Sequence, residues 1–392
     1  MRQHRSLAFV LAALAMLGPF SIDTYLPSFP AIAADLHVDA VYVQQTLSVY
    51  LLCFAGMMLL HGTFSDSFGR RPVILLSLTV YTFASLGAAS APSLTALLVF
   101  RALQGLSAGA GTVVGRAMVR DRLAGAEAQR MLSQITMMFA LAPALAPIIG
   151  GWLQVWFGWR AIFVFLTAFG LLVLLLCSRA LPESLPREQR LAFHPRRILR
   201  DYWMATRHPR FLLPVFALGF ASIGFFIYVA AAPHFVIDVL HLPETAFAWL
   251  FIPLVSGMVI GAGTSSRLAQ RWSRRRIVAT GYALMLGAAI GNLIYCLLCT
   301  PQVPWAVLPL PLYTFGMTLA APVNSLQALE VFPGMRGLAS SVQSFVQLLL
   351  FALVAAVVVP LIGNDARLLA LAMCVFVVCS TLCLLLLRKM LR

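Results

Sequence analysis

Gly62-Thr63-Phe64-Ser65-Asp66-Ser67-Phe68-Gly69-Arg70-Arg71-Pro72-Val73 decides how the rest of the chain is read. It places small residues, an acid and two arginines between two apolar runs, 42–62 and 72–91. Each run reaches the roughly 20 residues that a helix rising 1.5 Å per residue needs to cross the hydrocarbon of a bilayer. A short charged segment between two such runs is a loop between spanning helices, kept at the surface because charge is costly in hydrocarbon.

Working outward, the same alternation covers the whole chain. Apolar windows fall at 6–28, 42–62, 72–91, 95–119, 131–156, 160–180, 210–237, 247–268, 276–299, 303–328, 337–362 and 366–388, which predicts twelve transmembrane helices and no soluble domain. Composition agrees. The 392 residues are 61% hydrophobic and 10% charged, against about 25% charge in soluble domains. The net charge of +15 does not point to nucleic acid, because most arginines lie in short segments between apolar runs rather than on one soluble face. The seven cysteines lie in apolar stretches without metal-ligand spacing, so no metal or disulfide framework is expected. The N-terminal run continues through Tyr25 without a cleavage site and reads as the first span, not a signal peptide.

Basic residues are retained in the cytoplasm. Numbering the loops alternately gathers nearly all of them on one side and leaves only Arg160 and Arg367 on the other, while Arg101 lies inside a span. Both termini are therefore expected in the cytoplasm. The longest polar connection, Leu181 to Pro209, separates two sets of six spans, giving an N-terminal bundle at 1–182, a linker at 183–209 and a C-terminal bundle at 210–392. The loop after span two ends Gly69-Arg70-Arg71-Pro72-Val73 and the loop after span eight ends Arg274-Arg275-Arg276-Ile277-Val278. Such internal duplication is how many secondary transporters are built, with a substrate site near the midplane.

Ionisable groups inside spans mark function, because insertion alone costs at least about 2.5–3.5 kcal/mol each. Asp23 lies near the outer end of span one and Arg101 at similar depth in span four, so the two can meet across one cavity. A carboxylate exchanging between arginine, proton and substrate is the minimum apparatus of an antiporter. Asp23 is the candidate proton carrier and Arg101 its partner; the alternatives are an interfacial acid before Pro27 and a snorkelling arginine. Glu330 at the end of span ten reads as an interfacial charge, and His61 and His234 as minor titratable candidates. An apolar substrate cavity with few polar anchors is expected to draw on Tyr25, Tyr50, Phe225, Phe226, Tyr228 and Asn324, although aromatic residues in spans also face lipid or pack. No catalytic constellation or phosphate loop is evident, so neither enzyme nor nucleotide cofactor is expected. The drive must then be an ion gradient, and the buried acid points to protons.

The loop 62–73 resembles the span-two to span-three motif of the major facilitator superfamily. That resemblance implies a conformational latch built from Gly62, Asp66, Gly69, Arg70 and Arg71, with Asp66 at its centre; a solvated turn is the alternative. No acid occurs in the second-half copy, 261–278, which predicts an asymmetric latch. Arg101-x-x-Gln104-Gly105, followed by Ser107, Ala108, Gly109, Ala110 and Gly111, is similar to the fourth-span motif of the same superfamily. That likeness implicates Arg101 in proton transfer and the small residues in close helix approach. Pro143-Ala144-Leu145-Ala146-Pro147-Ile148-Ile149-Gly150-Gly151-Trp152 is similar to its antiporter motif, with Ala146 where glycine is usual; a kink without functional meaning is the alternative.

Ile22-Asp23-Thr24-Tyr25-Leu26-Pro27 with Pro30, Gly158-Trp159-Arg160 and Leu181-Pro182-Glu183-Ser184 together resemble the Bcr/CflA drug exporters. The expectation is an all-α membrane protein of two six-helix bundles in the bacterial inner membrane. It would be a monomer exchanging a small lipophilic drug or toxic compound for protons across the lipid bilayer, without cofactor, metal or nucleic acid. A proton-coupled carrier of an endogenous metabolite is the alternative.

Overall fold

The computed structural model describes residues 2–123, 125–190 and 193–390, so the basic C-terminal residue Arg392 lies outside the described residues. Secondary structure among them is entirely helical. The first compact unit, Met1–Arg197, contains α1 (Arg2–Asp23), α2 (Phe29–Asp35), α3 (Ala40–Phe68), α4 (Arg70–Ala89), α5 (Leu94–Ala108), α6 (Ala110–Arg122), α7 (Gly125–Phe157) and α8 (Trp159–Ala180). A helix of the linker, α9 (Pro195–Thr206), straddles the division. The second unit, Ile198–Arg392, carries α10 (Pro209–Ala230), α11 (Ala248–Leu268), α12 (Arg274–Leu298), α13 (Pro309–Leu329), α14 (Arg336–Leu353), α15 (Val359–Ile362) and α16 (Ala366–Met390).

The breaks in these helices have local causes. Proline in a helix interior removes a hydrogen bond and clashes with the preceding turn, but it is tolerated at a start. Pro27 and Pro30 therefore sit at the first turns of a short 3-10 segment and of α2, and α1 stops at Asp23 before them. Gly69 turns the chain from α3 into α4 at φ +101, a backbone region open mainly to glycine. The α14 helix widens into a π-helical segment, Val354–Val358, before Pro360.

Burial is arranged for a bilayer. On α16, Met373, Val377, Ser380 and Leu384 face inward while Leu371, Val375, Val378 and Leu382 are exposed, so both faces are mostly apolar and the spacing of each is helical. In water the outward stripe would cost about 25 cal/mol per Å² of apolar surface; lipid removes that cost. Among the described residues, eleven helical segments are long and apolar enough to cross a membrane. The twelfth expected span, 303–328, corresponds to α13, which is 21 residues long and free of charge but holds three prolines and several polar side chains. Its Thr314 and Asn324 are buried, and α13 packs against α10, α11 and α12. Helix packing, not lipid, meets these groups: Thr314 Oγ1 donates to the Leu254 carbonyl and Asn324 Nδ2 to Tyr282 OH.

The two units repeat one packing scheme. In the first, α1 packs on α7 and α8, α3 on α5, and α4 on α5 and α8. In the second, α10 packs on α14 and α16, α11 on α13, and α12 on α13 and α16. With the broken α5–α6 span matched to α13, each contact has its counterpart, so the duplication in the loop sequences is also one of architecture.

Candidate functional site

Arg101 is fully buried in α5. Its guanidinium lies between two rings, 4.2 Å from the Tyr25 centroid and 4.3 Å from the Tyr50 centroid. A desolvated cation over an aromatic face gains up to about 2 kcal/mol, which partly offsets the loss of water. Nη1 donates to the Ser21 carbonyl at 3.0 Å and to Gln104 Oε1 at 2.8 Å, while Nε and Nη2 have no hydrogen-bond partner. Gln104 in turn donates to Ser85 Oγ at 2.8 Å, and Ser21 Oγ bonds Tyr81 OH at 2.6 Å. One polar network thus joins α1, α4 and α5 inside the first bundle, with Tyr25 and Tyr50 closing it.

Asp23, at the last position of α1, is 3% exposed. It and Arg101 belong to one region, because the arginine holds the carbonyl two residues before the acid. The expected pair is nevertheless not formed: among the described residues neither group makes an ion pair, since the two tyrosines and Gln104 direct the guanidinium onto the Ser21 carbonyl instead.

The antiporter-motif segment meets the same place. A Cβ at Gly150 of α7 would lie 1.7 Å from the Thr24 carbonyl oxygen, so glycine is what lets α7 close on the break beside Asp23. Gly151 and Pro147 are also buried, and Pro143 is half-buried. Gly105 plays the equivalent part on α5, where a Cβ would lie 2.3 Å from the Tyr50 carbonyl oxygen. Of the expected lining residues, Tyr25 and Tyr50 hold Arg101. Phe226 stacks on Phe351 at 4.0 Å, Tyr228 accepts from Asn292 at 2.6 Å, and Asn324 donates to Tyr282 at 3.2 Å. All five are buried, while Phe225 is half-buried.

At the α3–α4 corner, where the latch is expected, the charged contacts gather on Arg70 rather than on Asp66. Arg70 is buried, pairs with Asp66 one turn earlier, donates to Ser65 Oγ at 2.6 Å and reaches Asp121 Oδ2 of α6 at 3.0 Å. Glu183, beyond α8, accepts from the backbone N–H groups of Arg70 at 3.0 Å and Arg71 at 3.3 Å. A carboxylate at a helix N-terminus satisfies otherwise orphaned donors and meets the positive end of the dipole. Arg71 donates to the Ser178 carbonyl at 2.7 Å, and Ser184 Oγ to Asp121 at 2.8 Å. At Gly69 a Cβ would lie 2.6 Å from Glu183 Oε2, so this glycine serves both the turn and the close approach. Gly62 meets nothing nearer than Val113 at 3.8 Å.

Asp121 and Glu183 are members that sequence reading did not assign to the latch, because their partner lies far along the chain. The second-unit corner, which lacks an acid of its own, borrows one in the same way: Arg274 donates to both Glu330 oxygens, at 2.9 and 3.1 Å. Glu330 follows α13 as Asp121 sits near the end of α6. The two corners still differ in their pairing: Arg70 is buried between two acids, whereas Arg274 and Glu330 form one exposed pair.

With this geometry in place, comparison with known proteins defines the class. The Major Facilitator Superfamily profile matches residues 11–356. A bicyclomycin resistance protein homolog of Haemophilus influenzae is 31% identical over 343 residues, covering 87% of this chain and 86% of that protein. A chloramphenicol resistance protein of Pseudomonas aeruginosa is 30% identical, covering 85% and 78%. The crystal structure of a D-xylose-proton symporter superposes with a TM-score of 0.72 at 15% identity over 96% of each chain, which supports the fold. The chain belongs to the Major Facilitator Superfamily and, within it, to the Bcr/CflA type. It is a multi-span membrane protein of a transporter superfamily.

Proposed function

We propose that this chain exports small lipophilic drugs or toxic compounds across the bacterial inner membrane in exchange for protons, by alternating access. The observation that carries the reading is Asp23, a carboxyl buried in a span that makes no ion pair among the described residues. Such a group is neutralised by a proton or by a cationic or polar substrate, and competition between the two couples their movements. Arg101 lies at the preceding turn and Gly150 of the antiporter-like segment seals the break beside the acid. The names of the relatives, bicyclomycin and chloramphenicol resistance proteins, supply the substrate class. On this reading both termini are cytoplasmic, the chain works as a monomer, and the proton gradient replaces any cofactor.

The test expresses the chain in an efflux-deficient bacterium and compares resistance to bicyclomycin and chloramphenicol for wild type and Asp23→Asn. Wild type should raise resistance and the variant should abolish the gain. Drug added to everted vesicles should release protons. Transport that persists after the proton gradient is collapsed, or in Asp23→Asn, would refute the coupling.

A further inference from the structure

The linker helix α9 presents a face that none of the foregoing uses. Around it, Ala205 is buried and Asp201 is turned partly inward, so this side meets the protein. The opposite side carries Leu199, 72% exposed, with Trp203 one turn later and Met204 beside it, all exposed, bordered by the exposed Arg196, Arg200 and Arg207. Arg207 stacks over the Trp203 ring at 4.3 Å. Arg200 lies 3.7 Å from Asp201, the one acid of the helix. The outward face therefore combines apolar bulk, an aromatic ring and cations.

That combination defines an interfacial helix: apolar and indole side chains enter the acyl boundary, while arginines snorkel to anionic headgroups. The tether supplies the location. Only Arg207 and His208 separate α9 from α10, a reach of about 10 Å, so Trp203 in the last turn of α9 and Arg207 just after it are held near the first turn of a spanning helix. We infer that α9 is a lipid-binding element whose outward face docks on the membrane surface and recognises anionic phospholipid headgroups through Arg196, Arg200 and Arg207. The leaflet is the occupant whose charge complements the arginines and whose acyl boundary lies within reach of Leu199 and Trp203.

The full chain is placed in nanodiscs of phosphatidylcholine alone, or with about a third phosphatidylglycerol, and amide hydrogen exchange is followed across α9, with the amides of α16 as an internal measure of folding. Phosphatidylglycerol should slow exchange in α9 by about tenfold or more and leave α16 unchanged. The triple variant Arg196→Gln, Arg200→Gln, Arg207→Gln should lose that protection, and Leu199→Gln with Trp203→Gln should lose it also. Equal α9 exchange in the two lipids, or full protection retained by the triple variant, would overturn the inference. So would protection that survives in detergent without phospholipid, which would mark a protein contact. None of these readouts depends on drug transport.

Discussion

Arg101 is held by geometry that another cation cannot copy. A lysine ammonium is a point charge and cannot lie flat between Tyr25 and Tyr50 while donating to Ser21 and Gln104. Arg101→Lys is expected to lower drug export about tenfold or more at nearly normal membrane abundance, measured as transport rate per folded protein; unchanged export would show that charge alone suffices. Gly150→Ala should be worse, because its Cβ would lie 1.7 Å from the Thr24 carbonyl oxygen, a backbone atom that no rotamer change can move. The variant should lose resistance and melt lower in a detergent assay; wild-type behaviour would show that α7 can retreat. At this scale the sequence was only half legible. The charge of Arg101 stood out in its apolar run, but nothing local to Tyr25 or Tyr50 announced that the two rings would enclose it, since they come from different elements.

The α3–α4 corner shows what an element boundary needs beyond its own residues. Arg70 joins α3 through Asp66 and α6 through Asp121, and Glu183 caps α4. Arg70→Ala would leave Asp66 without its charge partner and Asp121 with only the Ser184 hydroxyl, and is expected to cost about 2 kcal/mol. Asp66→Asn should cost less, because Asp66 is 39% exposed and Arg70 keeps Asp121. Melting temperatures of the two variants test this order, and an equal or larger loss for Asp66→Asn would make the aspartate the centre of the charge cluster. The existence of a corner was readable from the charged segment, but its boundaries were not: α3 continues to Phe68 and α4 starts at Arg70, so most of the expected loop 62–73 is helical and the turn is confined to Gly69. Asp121 and Glu183 were not readable, because a charge pair across distant segments leaves no periodicity in either. In the second unit, Arg274–Glu330 joins side chains that are 59% and 50% exposed. Glu330→Gln should therefore change stability by at most about 1 kcal/mol.

At the scale of the molecule, apolar runs, basic loops and the internal repeat were legible because a bilayer imposes its thickness and its charge rule on every span. That rule predicts that a green fluorescent protein fused at the C-terminus glows while an alkaline phosphatase fusion stays inactive; the reverse pattern would invert the topology. The span that fits the apolar criterion least well, α13, has a consequence for how the chain is made. A helix with three prolines and buried polar side chains partitions poorly into lipid on its own. Its neighbours α10, α11 and α12 all precede it in the sequence, so they are synthesised before it. Biogenesis would then be ordered: the earlier helices provide the surface that admits α13, and a chain lacking them would leave this segment outside the membrane.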